Sequence, residues 1–308
     1  MCSAKGYTQL LLVGGDANHA IEVSLSKVES KLPRVFEILE AAAGRESTVI
    51  PKEAYETICL YCAFLKQVSL FSKPAAVVSF LAQLNMEFET GQEFLLRELN
   101  MPDDVIQEFR AEYANGGRAI VVSKNPLQLI HRLQFDRMIS LNYWEFMQCD
   151  WTACASPIDL PLSDIGVVPM WLSEPKANHY ILPLGPRLVL DGVFYYDPAK
   201  RSTGHCIQGH VLSAEEAEYR LDLLCASAVM ELICRERRYD IEQIVARAKT
   251  KGITFNRIVA PDRAQLAGLT ETDVKYERRM VSQEEYVRFV RSFMQPSAAA
   301  LGRMGLGG

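Results

Sequence analysis

The chain has 308 residues, enough for one large domain or two small ones, and its 49% apolar and 23% charged composition is that of an ordinary globular core. It carries 33 Lys and Arg against 38 Asp and Glu, a net charge of −5, which weighs against a dedicated nucleic-acid binder because phosphate binding wants a positive balance or a clear basic face. No apolar run approaches the ~18 residues that a membrane helix needs, so no membrane partner is expected.

In chain order, a short apolar run, Leu10 to Val13, leads into Gly14-Gly15-Asp16. From about His19 to Ala43, Ile21, Leu25, Val28, Leu32, Val35, Ile38 and Leu39 recur at helical spacing, and Pro33 should kink or split that helix. A second helix follows Pro51. Ser72 reads as an N-cap with Pro74 just inside a third helix, which continues to about Leu99. A helix led by Pro102 should stop at Gly116-Gly117, and another spans about Pro126 to Ser140. The texture changes at Tyr143. Short aromatic or branched runs, punctuated by Pro and Gly, read as a small sheet over 143–212. Ser213 and Glu216 form a capping box that opens a helix of about 25 residues, roughly 37 Å long. A shorter helix ends at Gly252, and Ser282 with Glu285 repeats the capping-box spacing before the last one. Residues 296–308, small and Gly-rich, read as a flexible tail.

The expected class is α+β: mainly helical, with a small antiparallel sheet inserted between a helical N-terminal half and a long C-terminal helix. One domain over 1–295 is expected, helical at 19–140, sheet at 143–212 and helical again at 213–295. Eight cysteines lie scattered behind an N-terminus with no export signal, which points to reduced thiols and a cytoplasmic location.

Several short motifs sit in this order: Trp144 in NYWEFM, Ser163-Asp164 in PLSDIGVV, Pro183-Leu184-Gly185-Pro186, Ala226 and Ala228 in the last long helix, and Glu22 and Glu29 in the first. Over residues 20–238 the pattern resembles the bacterial and fungal domain-of-unknown-function family number 4238. That resemblance implies a shared fold and no assigned activity. It also has departures. The family's His-Tyr-x-Pro motif is not found ahead of the first helix, its Arg-Ser/Thr-Pro appears as Ser72-Lys73-Pro74, and the Pro after Ser-Asp is replaced by Gly166. These losses imply a degenerate site.

Each candidate has a structural alternative. Ser163 and Asp164 end a strand where a functional group is often placed, with Asp164 able to ligate a divalent ion; the same pair caps turns by bonding backbone amides. Pro183 to Pro186 reads as the partner strand beside Asp164, edge or bulged. Glu22 and Glu29, two turns apart on one helix face, could join Asp164 at a metal or form a solvated stripe. His205, Cys206 and His210 carry zinc-type donors without a zinc spacing, and Cys59 and Cys62 form a CxxC inside an apolar helix, which points to core thiols. No phosphate loop, nucleophile elbow or HExxH motif is present.

From Arg235 to the end the chain holds 14 Lys and Arg against 9 Asp and Glu, so that stretch is basic (+5) and the preceding part acidic (−10). Three functions follow from these features. The first is a non-catalytic protein that binds an unknown protein partner, with no cofactor. The second is a Mg²⁺- or Mn²⁺-dependent hydrolase or nuclease-like enzyme using Asp164, Ser163, Glu22 and Glu29, with Arg235, Arg237 and Arg238 holding the anion. The third is a nucleic-acid-binding module on the basic C-terminal surface.

Overall fold

The computed structural model describes residues 25–68, 72–124, 126–163, 165–170, 177–201, 204–228, 232–234, 240–253 and 275–293. After a short helical segment at 25–29, the elements in order are α1 (Leu32–Ala43), β1 (Ser47–Val49), α2 (Lys52–Val68), α3 (Ser72–Thr90), α4 (Phe94–Glu98), α5 (Asp103–Ala114), β2 (Arg118–Ser123), α6 (Pro126–Phe146) and β3 (Asp150–Ala155). They continue with β4 (Leu162–Ser163), β5 (Val168–Met170), β6 (Ala177–Gly185), β7 (Leu188–Tyr195), a 3₁₀ turn (Pro198–Lys200), β8 (Cys206–Val211), α7 (Ala214–Ser227), β9 (Leu232–Ile233), α8 (Ile241–Thr250), β10 (Tyr276–Val281) and α9 (Gln283–Phe293). The class is α+β. The described residues fall into two compact units: those within 71–135 and 256–308 form one, and those within 19–70 and 136–255 the other. Both helical stretches that the sequence suggests are divided between the units, whereas 143–212 lies within one of them.

The unit formed by 19–70 and 136–255 is built on a six-stranded sheet in the order β1-β8-β3-β7-β6-β5. This corrects the expectation of a small antiparallel sheet. The sheet is mixed, because β8 returns beside β3 and runs parallel to it while also pairing antiparallel with β1. Strand order is set by tertiary packing, so no local pattern announces it. On one face, α1, α2 and the end of α6 bury a core that includes Leu39, Tyr55, Ile58, Phe146, Trp151 and Leu190. Two glycines permit that packing. A Cβ at Gly192 would come 2.5 Å from the ring of Trp151, its cross-strand partner. A Cβ at Gly209 would come 2.0 Å from the carbonyl oxygens of Ala42 and Arg45, where the end of α1 and its exit loop close on β8.

Local chemistry explains most helix ends. Pro33 splits the first helical pattern: a turn at 30–31 separates the 25–29 segment from α1, in which Pro33 occupies the first turn, where no backbone N–H is missed. Ser213 and Glu216 form the reciprocal capping box on α7. Asp240 caps α8, and Gly252, at φ +73°, follows it.

Three expected boundaries move. The Tyr143 region is helical, since Ile139, Tyr143 and Phe146 continue the core-facing spacing of α6. The long helix stops at Ser227, where Ala228 turns extended, and Leu232–Ile233 pair with β4; backbone pairing there overrides helix propensity. The 72–99 helix breaks at Gly91, which adopts φ +73°.

The other unit packs α3, α4, α5, α9 and the start of α6 with a two-stranded ribbon of β2 and β10, around Phe80, Leu81, Leu95, Val121 and Val290. Asn85 stands in for a missing third strand. Its amide accepts from the Ala119 N–H at 2.8 Å and donates to the Ala119 carbonyl at 3.1 Å. Glu87, buried, caps α4 by accepting from the N–H groups of Leu95 and Leu96.

Candidate functional site

Of the sequence-derived site residues, only Ser163 and Glu29 lie among the described residues. Ser163 ends β4 and is buried; its Oγ accepts from the Ile165 N–H at 3.3 Å and its carbonyl from the Gly166 N–H at 3.0 Å. Ser163 therefore caps a turn, with Gly166 at φ +70° completing it. Asp164 lies outside the described residues, as do Glu22, Arg235, Arg237 and Arg238. Glu29 is exposed in the 25–29 helical segment. Pro183 to Pro186 is bulged, as expected, with a register shift between Pro183 and Gly185. It is not the partner of the Ser163 strand: β4 pairs with β9, and β6 with β5 and β7. The His-Cys group is dispersed as well. His205 packs on Tyr55, Cys206 Sγ meets Ser47 Oγ at 2.9 Å, and His210 faces the Glu216 carboxylate at 3.1 Å. Cys59 and Cys62 are core thiols, fully buried, and burial pushes both well up. Among the described residues no group of three His, Cys, Asp or Glu is placed to hold a metal ion.

A different constellation forms where the core-facing side of the sheet reaches its edge, beside the last turn of α6. The β6–β7 register sets Asn178 opposite Phe194 and Tyr180 opposite Gly192, so these side chains share the face that α6 packs on. Glu145, from α6, is the hub. Its Oε2 takes the Lys66 ammonium at 2.9 Å, and its Oε1 accepts from Asn178 Nδ2 at 2.8 Å and from the Tyr180 hydroxyl. Tyr196 extends the chain outward by donating to Asn178 Oδ1 at 2.6 Å. Lys66 also lies over the rings of Tyr180 and Phe146, 4.7 and 5.2 Å from their centroids. Burial alone would raise the Glu145 carboxyl, but the Lys66 charge and the donors Tyr180, Lys66 and Asn178 outweigh it and hold the carboxyl below its ordinary range. Burial and the neighbouring Glu145 charge push the Tyr180 hydroxyl far up, so it stays protonated.

Above this network lies an aromatic surface. Trp144 is 55% exposed and Tyr196 50%, on either side of the buried ring of Phe194, whose centroid is 5.9 Å from that of Trp144 and 6.4 Å from that of Tyr196. Leu141, one turn before Trp144 on α6, is 51% exposed and extends the apolar stripe. Arg201 folds back from the 3₁₀ turn over Phe194 and beside Trp144, 4.6 and 5.5 Å from their ring centroids. Three hydrogen bonds fix it: Nε to the Tyr195 carbonyl, Nη2 to the Tyr196 carbonyl and Nη1 to Gln148 Oε1.

A second polar cluster occupies the opposite face of the sheet. Arg220 of α7 clamps Asp191 Oδ2 through Nη2 and Nε, and Cys154 Sγ approaches the same oxygen at 3.7 Å. Asp191 Oδ1 is buried without a partner among the described residues, but the carboxylate is already neutralised by Arg220. Comparison with protein-family models, with curated proteins and with solved structures finds no match to this chain. Of the aromatic site, the sequence reading singled out Trp144 alone. The remainder, with the Glu145 network beneath it, comes from α2, α6, β6 and the stretch from β7 through the 3₁₀ turn, brought together by packing and by a strand register that no local motif encodes.

Proposed function

We propose that this protein acts by binding a protein partner, without catalysis, through the Trp144, Tyr196 and Arg201 surface. The observation that carries this reading is the half-exposure of Trp144 and Tyr196 beside Phe194, with the Arg201 guanidinium held by three hydrogen bonds over the Phe194 and Trp144 rings. Trp, Tyr and Arg dominate the energetic centres of protein interfaces, and side chains fixed before binding lose little entropy on association. The Glu145 network underneath is a rigid support: its carboxylate is saturated by Lys66, Asn178 and Tyr180, which leaves it poorly suited to proton transfer. Among the described residues no helix is long and apolar enough to cross a membrane. The seven cysteines among the described residues are free thiols, which fits a reducing, cytoplasmic setting.

The test is differential capture from a cell extract. Wild type, Trp144→Ala/Tyr196→Ala and a control, Met86→Ala/Phe94→Ala, are compared at equal load. Met86 and Phe94 are exposed side chains of the other unit, at 49% and 55%. The reading expects a protein retained by wild type and by the control and lost from the folded Trp144→Ala/Tyr196→Ala variant. An identical captured set from all three proteins contradicts it.

A further inference from the structure

We infer that Arg201 is the anion-recognising centre of this surface, and that the segment it takes from the partner is an acidic peptide whose carboxylate lies next to an aromatic side chain. This rests on the partner-binding reading above and adds the chemistry of the partner to it.

The argument starts from the donors. A guanidinium has five N–H groups. Arg201 spends three, on the carbonyls of Tyr195 and Tyr196 and on the amide oxygen of Gln148. All three acceptors are neutral, and among the described residues Arg201 has no carboxylate partner. The contrast within the same unit is clear. Arg220 closes on Asp191, Arg247 and Lys251 on Asp222, Lys66 on Glu145, and Arg187 on Asp159. Arg201 is therefore a half-buried cation that, among the described residues, leaves one N–H undonated on each of its two terminal nitrogens, enough donors for a carboxylate.

The position of the cation is fixed rather than sampled. Asp197 caps the 3₁₀ turn by accepting from the Ala199 N–H at 3.0 Å, and the chain leaving that turn brings Arg201 back over the end of β7. Packing against Phe194 and Trp144 takes the guanidinium plane partly out of water, which strengthens a charge-assisted bond to an incoming anion. The half-exposed ring of Trp144 lies 5.5 Å from the guanidinium carbon, so an aromatic side chain adjacent to the carboxylate would meet a ring on arrival. The chain's net charge of −5 offers an acidic segment no long-range attraction, so recognition depends on this local cation.

The test uses ¹H–¹⁵N spectra of the full chain, reading the indole N–H of Trp144, assigned by its loss in Trp144→Phe. The probes are N-acetyl-Phe-Asp-amide, its neutral counterpart N-acetyl-Phe-Asn-amide, sodium acetate and inorganic phosphate. The expected result is a saturable shift with the Phe-Asp probe, about tenfold tighter than with Phe-Asn or acetate, and abolished in Arg201→Gln. Equal binding of Phe-Asp and Phe-Asn overturns the role of Arg201 while leaving an aromatic interface. Acetate or phosphate binding as tightly as Phe-Asp overturns the peptide in favour of a free small anion. No shift with any probe overturns the inference outright. The comparison between probes needs no substitution, so it stands even if Arg201→Gln loosens the turn. Phe-Asp binding together with unchanged partner capture by Trp144→Ala/Tyr196→Ala would instead refute the interface and keep the anion site.

Discussion

The Asp222 carboxylate is fully buried on α7 and takes both cations of the facing side of α8: Arg247 through Nε at 2.9 Å and Nη2 at 2.5 Å, and Lys251 through Nζ at 2.8 Å. Ile244 and Ala248 are the buried side chains of α8, so apolar packing alone holds that helix weakly. The cations are 39% and 42% exposed and can hydrate once released, whereas the carboxylate cannot. The penalty is therefore asymmetric. Arg247→Ala/Lys251→Ala leaves a buried charge unpaired, at a cost of about 3–5 kcal/mol. Lys251→Ala alone leaves Arg247 in place and should cost about 1 kcal/mol or less, because a partly exposed pair is screened by solvent. Adding Asp222→Leu to the double variant removes the orphaned charge and should recover most of the loss. Urea denaturation followed by far-UV circular dichroism, with hydrogen exchange of the α8 amides as the local readout, measures each step. A double variant within about 0.5 kcal/mol of wild type, or no recovery on adding Asp222→Leu, refutes the reasoning.

Other consequences follow from the same physics. Asn85→Ala strips both backbone partners from Ala119 and should cost about 2–4 kcal/mol in the unit built on β2 and β10, read by urea denaturation. Gly209→Ala has no room for its methyl group against two backbone carbonyls, so it should shift α1 from β8 and lower the melting temperature far more than Gly204→Ala, whose Cβ would meet nothing within 4 Å. The Glu216 carboxyl is held down to about 2, first by the Ser213 amide and then by His210. Its folded value lies below the ordinary 4.5, so its stabilising effect is complete above about pH 4.5 and lost as pH falls toward 2. Glu216→Gln should thus melt lower than wild type at pH 7, with the gap closing in acid.

Where local chemistry decides, the sequence was legible. Pro33, the Ser213–Glu216 box, the Ser282–Glu285 spacing and Gly252 each mark a boundary that the fold uses, because a cap or a missing N–H acts within a few residues. The α+β class was legible for the same reason. The sheet order was not. β8 slots between β1 and β3 through contacts far apart in sequence, and β1 is only three residues long, too short to show alternation. The candidate site was nearly illegible. Ser163 has the polar side chain of a functional strand end and uses it on a turn. Lys66, Glu145, Asn178 and Arg201 lie in four separate stretches, and only the β6–β7 register and the packing of α6 bring them to one rim. Trp144 was visible as a residue, but its role depends on α6 extending six residues further, from Ser140 to Phe146, than its polar-apolar pattern suggested.

The central claim, that this protein works by binding a partner at the Trp144 and Tyr196 surface, is tested most directly by calorimetric titration of the captured partner against wild type and Trp144→Ala. Trp144 is 55% exposed, so the variant should keep its melting temperature, and truncating a central interface aromatic should weaken binding by about 2 kcal/mol or more, roughly a 30-fold rise in Kd. An unchanged Kd in a folded Trp144→Ala protein would contradict the account and place the binding surface elsewhere.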